Sequence, residues 1–268
     1  MTVVSKRPLI TWVGSKYLES KLLVPLVRER LRGGNLIEPF AGSAAIFFAL
    51  RPETAILGDA LRVLIDTYQA IRDTPDEVIA TLGRFIALGS DRDAFEAMRV
   101  YESQNAVQSA GRMLYLNQTA FNGLWRTNSK GDFNAGWAKK KNPSYATPEM
   151  IRDASAALQA AALYAGDWRL GVQRAGLGDV IFADPPYPGS NARYAGRAKK
   201  VDHADLVEEL VAAVGRGAGV VATEPESDEL AALFAPHFDG IPFSRFSGLS
   251  GASSGRGSMN QVAWVSKL

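Results

Sequence analysis

Residues 35–59 constrain the fold of this chain more than any other stretch. Two short apolar segments, 35–39 (NLIEP) and 54–58 (TAILG), flank one helical segment at 44–50. Pro39 stops the first segment, because proline cannot donate to a ladder. Arg51-Pro52 closes the helical one. Strand, helix and strand in so few residues predict a parallel pair, since parallel strands need a crossover and a helix usually supplies it. The alternation resumes later. Residues 162–165, 180–183 (VIFA), 219–223 and 262–265 read as strands, and 20–31, 147–161, 205–214 and 228–234 as helices. The fold class expected is α/β.

Residues 60–120 interrupt that alternation. Apolar residues there recur at helical spacing, predicting helices at 61–72, 75–88 and 91–116. Residues 121–147 are polar and rich in Asn, Gly, Lys and aromatics. The pattern predicts one α/β sheet interrupted by a mostly helical insert. Residues 248–260 read as a Gly/Ser loop.

The side-chain inventory removes several chemistries. The 268 residues include no cysteine, which excludes a disulfide framework, thiolate zinc and a Cys nucleophile. His203 and His237 are the only histidines, so a His-based metal site or a Ser-His-Asp triad is not expected. No apolar run approaches the roughly 18 residues of a membrane span, and the start of the chain lacks an apolar signal core. No metal, no membrane partner and a cytoplasmic location are therefore expected.

The net charge of +2 conceals a segregated pattern. Residues 1–32 carry net +5, 126–142 net +4 and 189–200 net +4, whereas 38–103 carry net −5. From residue 240 onward there are three bases and no acid. Separated basic segments can present a positive face to a polyanion.

Three short motifs carry chemistry. Asp184-Pro185-Pro186-Tyr187 follows an apolar strand, and ligands of open α/β sheets sit at strand carboxyl ends. Two prolines stiffen the backbone there. Asp184 offers a carboxylate, Pro185 a carbonyl and Tyr187 an aromatic face. Together they suit a planar ring with an exocyclic amine: two acceptors for the amine hydrogens and a surface for stacking. The second motif is Glu38-Pro39-Phe40-Ala41-Gly42-Ser43-Ala44, between strand and helix. Gly42 permits close backbone approach, and Ser43 suits a helix N-cap. Alone it reads as a plain βα turn. It is neither a G-x-G-x-x-G turn nor a P-loop, which disfavours a nicotinamide oxidoreductase. The third is Asp59, ending the next strand, where an acid can bind ribose hydroxyls. The three together describe an adenosine-bearing cofactor pocket beside an amine-binding loop.

Four stretches in order resemble a known family. They are Trp12-Val13-Gly14-Ser15-Lys16, the 38–44 turn, a polar segment and Asp184–Tyr187. The polar segment runs from Tyr115-Leu116-Asn117 through Phe121-Asn122-Gly123-Leu124-Trp125-Arg126 to Phe133-Asn134. With them, the chain resembles the Dam-type (D12 class, alpha-group) adenine-N6 DNA methyltransferases. The resemblance implies a Rossmann-like methyltransferase sheet, formed by 1–66 and 143–268. It implies a target-recognition insert at 67–142 with a hairpin at 117–137. S-adenosyl-L-methionine is the cofactor it implies, held by Trp12, Gly14, Lys16, Glu38, Pro39, Phe40, Gly42, Ser43, Asp59, Asp167, Trp168 and Asp184. Asp184, Pro185, Pro186 and Tyr187 would act on N6 of an adenine flipped out of the duplex.

The implied partner is double-stranded DNA, bound by a protein monomeric in solution that can place more than one copy on DNA. The implied setting is a bacterial or phage-infected cell. Gln118, Phe121, Asn122, Gly123, Leu124, Arg126, Asn128, Lys130, Lys139, Lys140, Arg193 and Arg197 are the implied DNA contacts. Two positions depart from the GATC-reading pattern. Thr11 stands where those enzymes carry a lysine, and Gln118 where they carry an arginine. GATC or a relaxed related site both stay open. Cytosine-N4 methylation and a DNA-binding module without catalysis are the rival readings, disfavoured by the polar segment and by the intact Asp184–Tyr187 motif respectively.

Overall fold

The computed structural model describes residues 8–128, 131–188, 201–247 and 257–267. The first half holds α1 (Ser20–Arg30), β1 (Leu36–Glu38), α2 (Ala45–Leu50), β2 (Ala55–Asp59) and α3 (Arg62–Asp73), then α4 (Pro75–Ala87), α5 (Arg92–Val100) and α6 (Ala106–Thr119). The second half holds α7 (Pro148–Leu158), β3 (Ala161–Ala165), α8 (Arg169–Val172), β4 (Val180–Ala183) and α9 (His203–Gly215), then β5 (Gly219–Pro225), α10 (Asp228–Phe234), β6 (Asp239–Ser247) and β7 (Gly257–Val265).

The strands form one sheet in the order β3-β2-β1-β4-β5-β7-β6. The first five are parallel, and β7 runs antiparallel between β5 and β6. β1 and β4 are neighbours from which the chain winds in opposite directions, so a crevice opens at their carboxyl ends. One buried apolar cluster covers the first face, from Leu23 and Phe47 through Tyr68, Phe85 and Tyr115 to Ile151. The helices of the expected insert share this cluster with the sheet, and residue 66 lies within α3. A second cluster on the opposite face joins Val172, Leu210 and Phe234 to Trp264.

Most expected elements stand within a residue or two. Three expectations are corrected. The helix expected at 91–116 is two helices, because Asn105 starts a new one: its side chain accepts from Gln108 N at 2.9 Å. β6 was not expected, since Gly240 and Pro242 weaken its signal; as an edge strand it tolerates proline. β7 begins at Gly257, so 257–260 are strand rather than Gly/Ser loop. Residues 248–256 lie outside the described residues.

Candidate active site

The turn after β1 is shaped by two residues with positive φ. Gly42 has φ +48°, and a Cβ there would lie 2.7 Å from the Trp12 indole. Ala44 adopts φ +50°, a left-handed backbone that costs about 1–2 kcal/mol outside glycine. Neighbouring bonds hold the turn. Gly42 N donates to Asp59 Oδ2 at 3.1 Å, and Tyr68 OH donates to Gly42 O at 2.7 Å. Ser43 does not cap α2; Ala44 holds that position, and the Ser43 hydroxyl pairs with Ser15 Oγ at 2.7 Å.

This turn forms one wall of a cavity of about 630 Å³ at the β1–β4 crevice. Trp12, Gly14, Lys16, Glu38, Pro39, Phe40, Gly42, Ser43, Asp59, Asp167, Trp168 and Asp184 all line it, as do Pro185, Pro186 and Tyr187. The cavity thus brings together residues spread from 12 to 187. Phe40 and Trp168 lie 5.9 Å apart at 33°, and the Arg169 guanidinium sits 4.4 Å over the Trp168 ring. Asp167 Oδ1 accepts from Arg169 N at 2.9 Å.

Three carboxyls and one ammonium set the electrostatics. Burial pushes Glu38 up to about 8, although its Oε1 accepts from Phe47 N at 2.6 Å. Burial also raises Asp59, against the bonds from Leu61 N and Gly42 N. Lys16, 2% exposed, donates to Asp184 Oδ1 at 2.5 Å, to Tyr187 OH at 3.0 Å and to Gly14 O at 3.2 Å. Burial alone would pull this lysine down, but the Asp184 carboxylate and Tyr187 outweigh it and leave it above the ordinary value. Lys16 therefore engages the Asp184–Tyr187 loop as well as lining the cavity.

Sequence reasoning missed two polar residues here. Thr223 Oγ1 donates to Asp184 Oδ1 at 2.9 Å, and Gln261 Nε2 donates to Tyr187 OH. Both side chains are fully buried. The available signal was a glutamine in the otherwise apolar run Gln261–Val265. Arg169, Val201 and Gly166 also line the cavity without having been singled out.

The expected DNA contacts fall into four groups. Phe121 is 49% exposed, and Arg126, Asn128, Lys139 and Lys140 are exposed. Arg126 donates to Asn134 Oδ1 and Asn134 O, both at 2.8 Å, and Asn128 Nδ2 to Asp132 at 3.0 Å. Lys140 Nζ donates to Gln118 O at 3.0 Å. Asn122 and Leu124 are half-buried. Gln118 and Gly123 are turned inward. Gln118 is 8% exposed, with its amide on Thr11 Oγ1 and Asn117 Oδ1, and a Cβ on Gly123 would meet Thr11 at 2.9 Å. Lys130, Arg193 and Arg197 lie outside the described residues. The expected hairpin is irregular. Residues 117–119 belong to α6, and two isolated bridges follow, Ala120–Trp137 and Thr127–Phe133. Trp125 and Phe133, 4.9 Å apart, close its buried side.

Among the described residues, no acid or histidine cluster suits a metal, and no helix is long and apolar enough to cross a membrane.

The family model for D12 class N6 adenine-specific DNA methyltransferases matches residues 12–228. The Type II methyltransferase M1.LlaDCHI of Lactococcus lactis subsp. cremoris is 31% identical over 198 residues, covering 69% of this chain and 66% of that protein. The DNA N-6-adenine-methyltransferase of Escherichia phage P1 is 31% identical over 241 residues, covering 85% and 31%. The DNA adenine methylase of Escherichia coli (strain K12) is 30% identical over 184 residues, covering 68% and 65%. The matched part thus spans just under two thirds of two of these relatives and under a third of the phage protein.

Proposed function

Because the chain belongs to the D12 class N6 adenine-specific DNA methyltransferases, we propose that it transfers a methyl group from S-adenosyl-L-methionine to N6 of a flipped-out adenine in double-stranded DNA. One observation carries the reading. The Asp184–Tyr187 loop opens into the same cavity as the Gly42 turn, Asp59 and Trp168.

The donor set fits the cofactor. The cavity volume is that of a small-molecule site. Phe40 and Trp168 offer aromatic walls for adenine, and Asp59 offers carboxylate oxygens for ribose hydroxyls. Asp167 is an acceptor for an amine. Trp12, packed against Gly42, and Gly14 complete the lining. When bound, the cofactor supplies a methyl activated by a sulfonium.

The chain's own groups then align the acceptor. Asp184 and the Pro185 carbonyl accept the two N6 hydrogens, which raises the availability of the nitrogen lone pair and fixes its direction. Tyr187 stacks on the extruded base. Alignment is the main contribution, because the leaving group is neutral. Lys16 and Thr223 both donate to Asp184 Oδ1, so the carboxyl group is already oriented when the amine arrives. The methylated amine loses its extra proton readily to Asp184 or to water.

Residues 67–142 are the proposed target-recognition unit, with the irregular hairpin against the duplex. Exposed Arg126, Lys139 and Lys140 supply charge toward phosphates, giving salt-dependent affinity. Thr11 and Gln118 bring no charge to the positions they occupy, so the proposed target is GATC or a relaxed related site rather than GATC alone. The test is methylation of plasmid DNA followed by single-molecule sequencing. N6-methyladenine in one recurring context is the expected result. Its complete absence with cofactor bound would sink the reading.

A further inference from the structure

We propose that Thr223 and Gln261 are positioning residues that lock Asp184 and Tyr187 against the sheet and leave Asp184 Oδ2 as the acceptor for the target amine. The proposal rests on the methyl-transfer reading above.

The sheet register places the two residues together. β5 and β7 are antiparallel, with Thr223 opposite Ala263 and Pro225 opposite Gln261. Side chains alternate along a strand, so Gln261, Ala263 and Thr223 share one face. That face is otherwise apolar: Val221, Ala263 and Val265 belong to the main buried cluster. A polar side chain on such a face is costly unless bonded.

The bonds run outward, to the loop that follows β4. Asp184 Oδ1 receives Thr223 Oγ1 at 2.9 Å and Lys16 Nζ at 2.5 Å. Tyr187 OH receives Gln261 Nε2 and, at 3.0 Å, Lys16 Nζ. Each functional side chain is therefore held from two directions, once by the sheet and once by the N-terminal segment. Among the described residues, no donor reaches Asp184 Oδ2. Nor does any described residue pair with Gln261 Oε1, which is buried. An apolar side chain of similar size would avoid that unpaired oxygen, so fold stability alone does not account for glutamine at this position. Its amide N–H fixes the tyrosine ring from the hydroxyl end, and the ring plane decides how a base stacks.

The experiment is a double-mutant cycle on the full chain: wild type, Gln261→Leu, Tyr187→Phe and the double variant. It reads kcat and KM for DNA and cofactor, alongside thermal melts. Gln261→Leu is expected to lower kcat roughly tenfold, the loss of about one aligning hydrogen bond, with both KM values changed less than about twofold. In the Tyr187→Phe background the same change should cost almost nothing, because the hydroxyl it acts through is gone. Thr223→Val is expected to lower kcat similarly, and Thr223→Ser to restore it. Gln261→Met replaces Gln261→Leu if the latter fails to melt cooperatively. Additive losses in the cycle, losses confined to KM, or Thr223→Ser as impaired as Thr223→Val would each overturn the proposal while leaving the methyl-transfer reading intact. A wild type that binds cofactor and methylates nothing would overturn both.

Discussion

Gln118 donates from Nε2 to Thr11 Oγ1 at 3.2 Å, which ties the last turn of α6 to the residue just before Trp12. Asn117 reinforces the tie, accepting from Thr11 N at 2.8 Å and donating to Thr11 O at 2.7 Å. The helical insert thus grips the strand of chain that walls the cavity.

This contact predicts a structural rather than a phosphate-binding role for Gln118. Gln118→Ala should lower stability by about 1 kcal/mol and leave the salt dependence of DNA affinity unchanged. Lys139→Ala, at an exposed position, should reduce the slope of log affinity against log salt by about 0.9. Fluorescence anisotropy across a salt series measures both. A flattened slope for Gln118→Ala would contradict the assignment.

Asp184→Ala is expected to abolish methylation while retaining DNA binding. It also strands the buried Lys16 ammonium, so the melting temperature should fall. The cost is about 3 kcal/mol, the low end for a broken buried pair, because Asp184 is reached by water. Adding Lys16→Met should recover stability without activity. Recovery of methylation in the double variant would exclude Asp184 as the amine acceptor.

Trp168 and Phe40 should act on cofactor affinity. Trp168→Ala is expected to raise KM for the cofactor roughly tenfold with kcat little changed, the pattern of lost uniform binding. Isothermal titration should give a parallel loss. A fall in kcat at unchanged KM would move Trp168 out of the cofactor wall.

Glu38 should make stability depend on pH. Its folded value of about 8 stands above the ordinary 4.5, so the native state holds the proton more tightly. That contribution is complete below about 4.5, falls as pH rises to about 8 and is fully lost above it. Glu38→Gln keeps an acceptor for Phe47 N and cannot ionise. The variant should melt higher than wild type at pH 8.5 and nearly equal to it at about pH 5. Parallel melting curves across that range would show that Glu38 is not the titrating group.

Local chemistry made much of this protein legible in its sequence. Short apolar runs ending at Pro39, Asp59 and Asp184 define parallel strands because periodicity and turn residues act over few neighbours. The Gly42 turn was readable for the same reason, whereas its close approach to Trp12 came only with the tertiary structure. Tertiary structure alone decided the rest. β6 was hidden because an edge strand can carry Gly240 and Pro242. Gln118, expected at the DNA interface from the family resemblance alone, is buried in the structure. Its partner is Thr11, more than a hundred positions earlier in the chain. Lys16, Thr223 and Gln261 reach Asp184 and Tyr187 from three distant segments. Such contacts depend on which strands pair and in what register, and hydrophobic spacing within any one segment does not encode that.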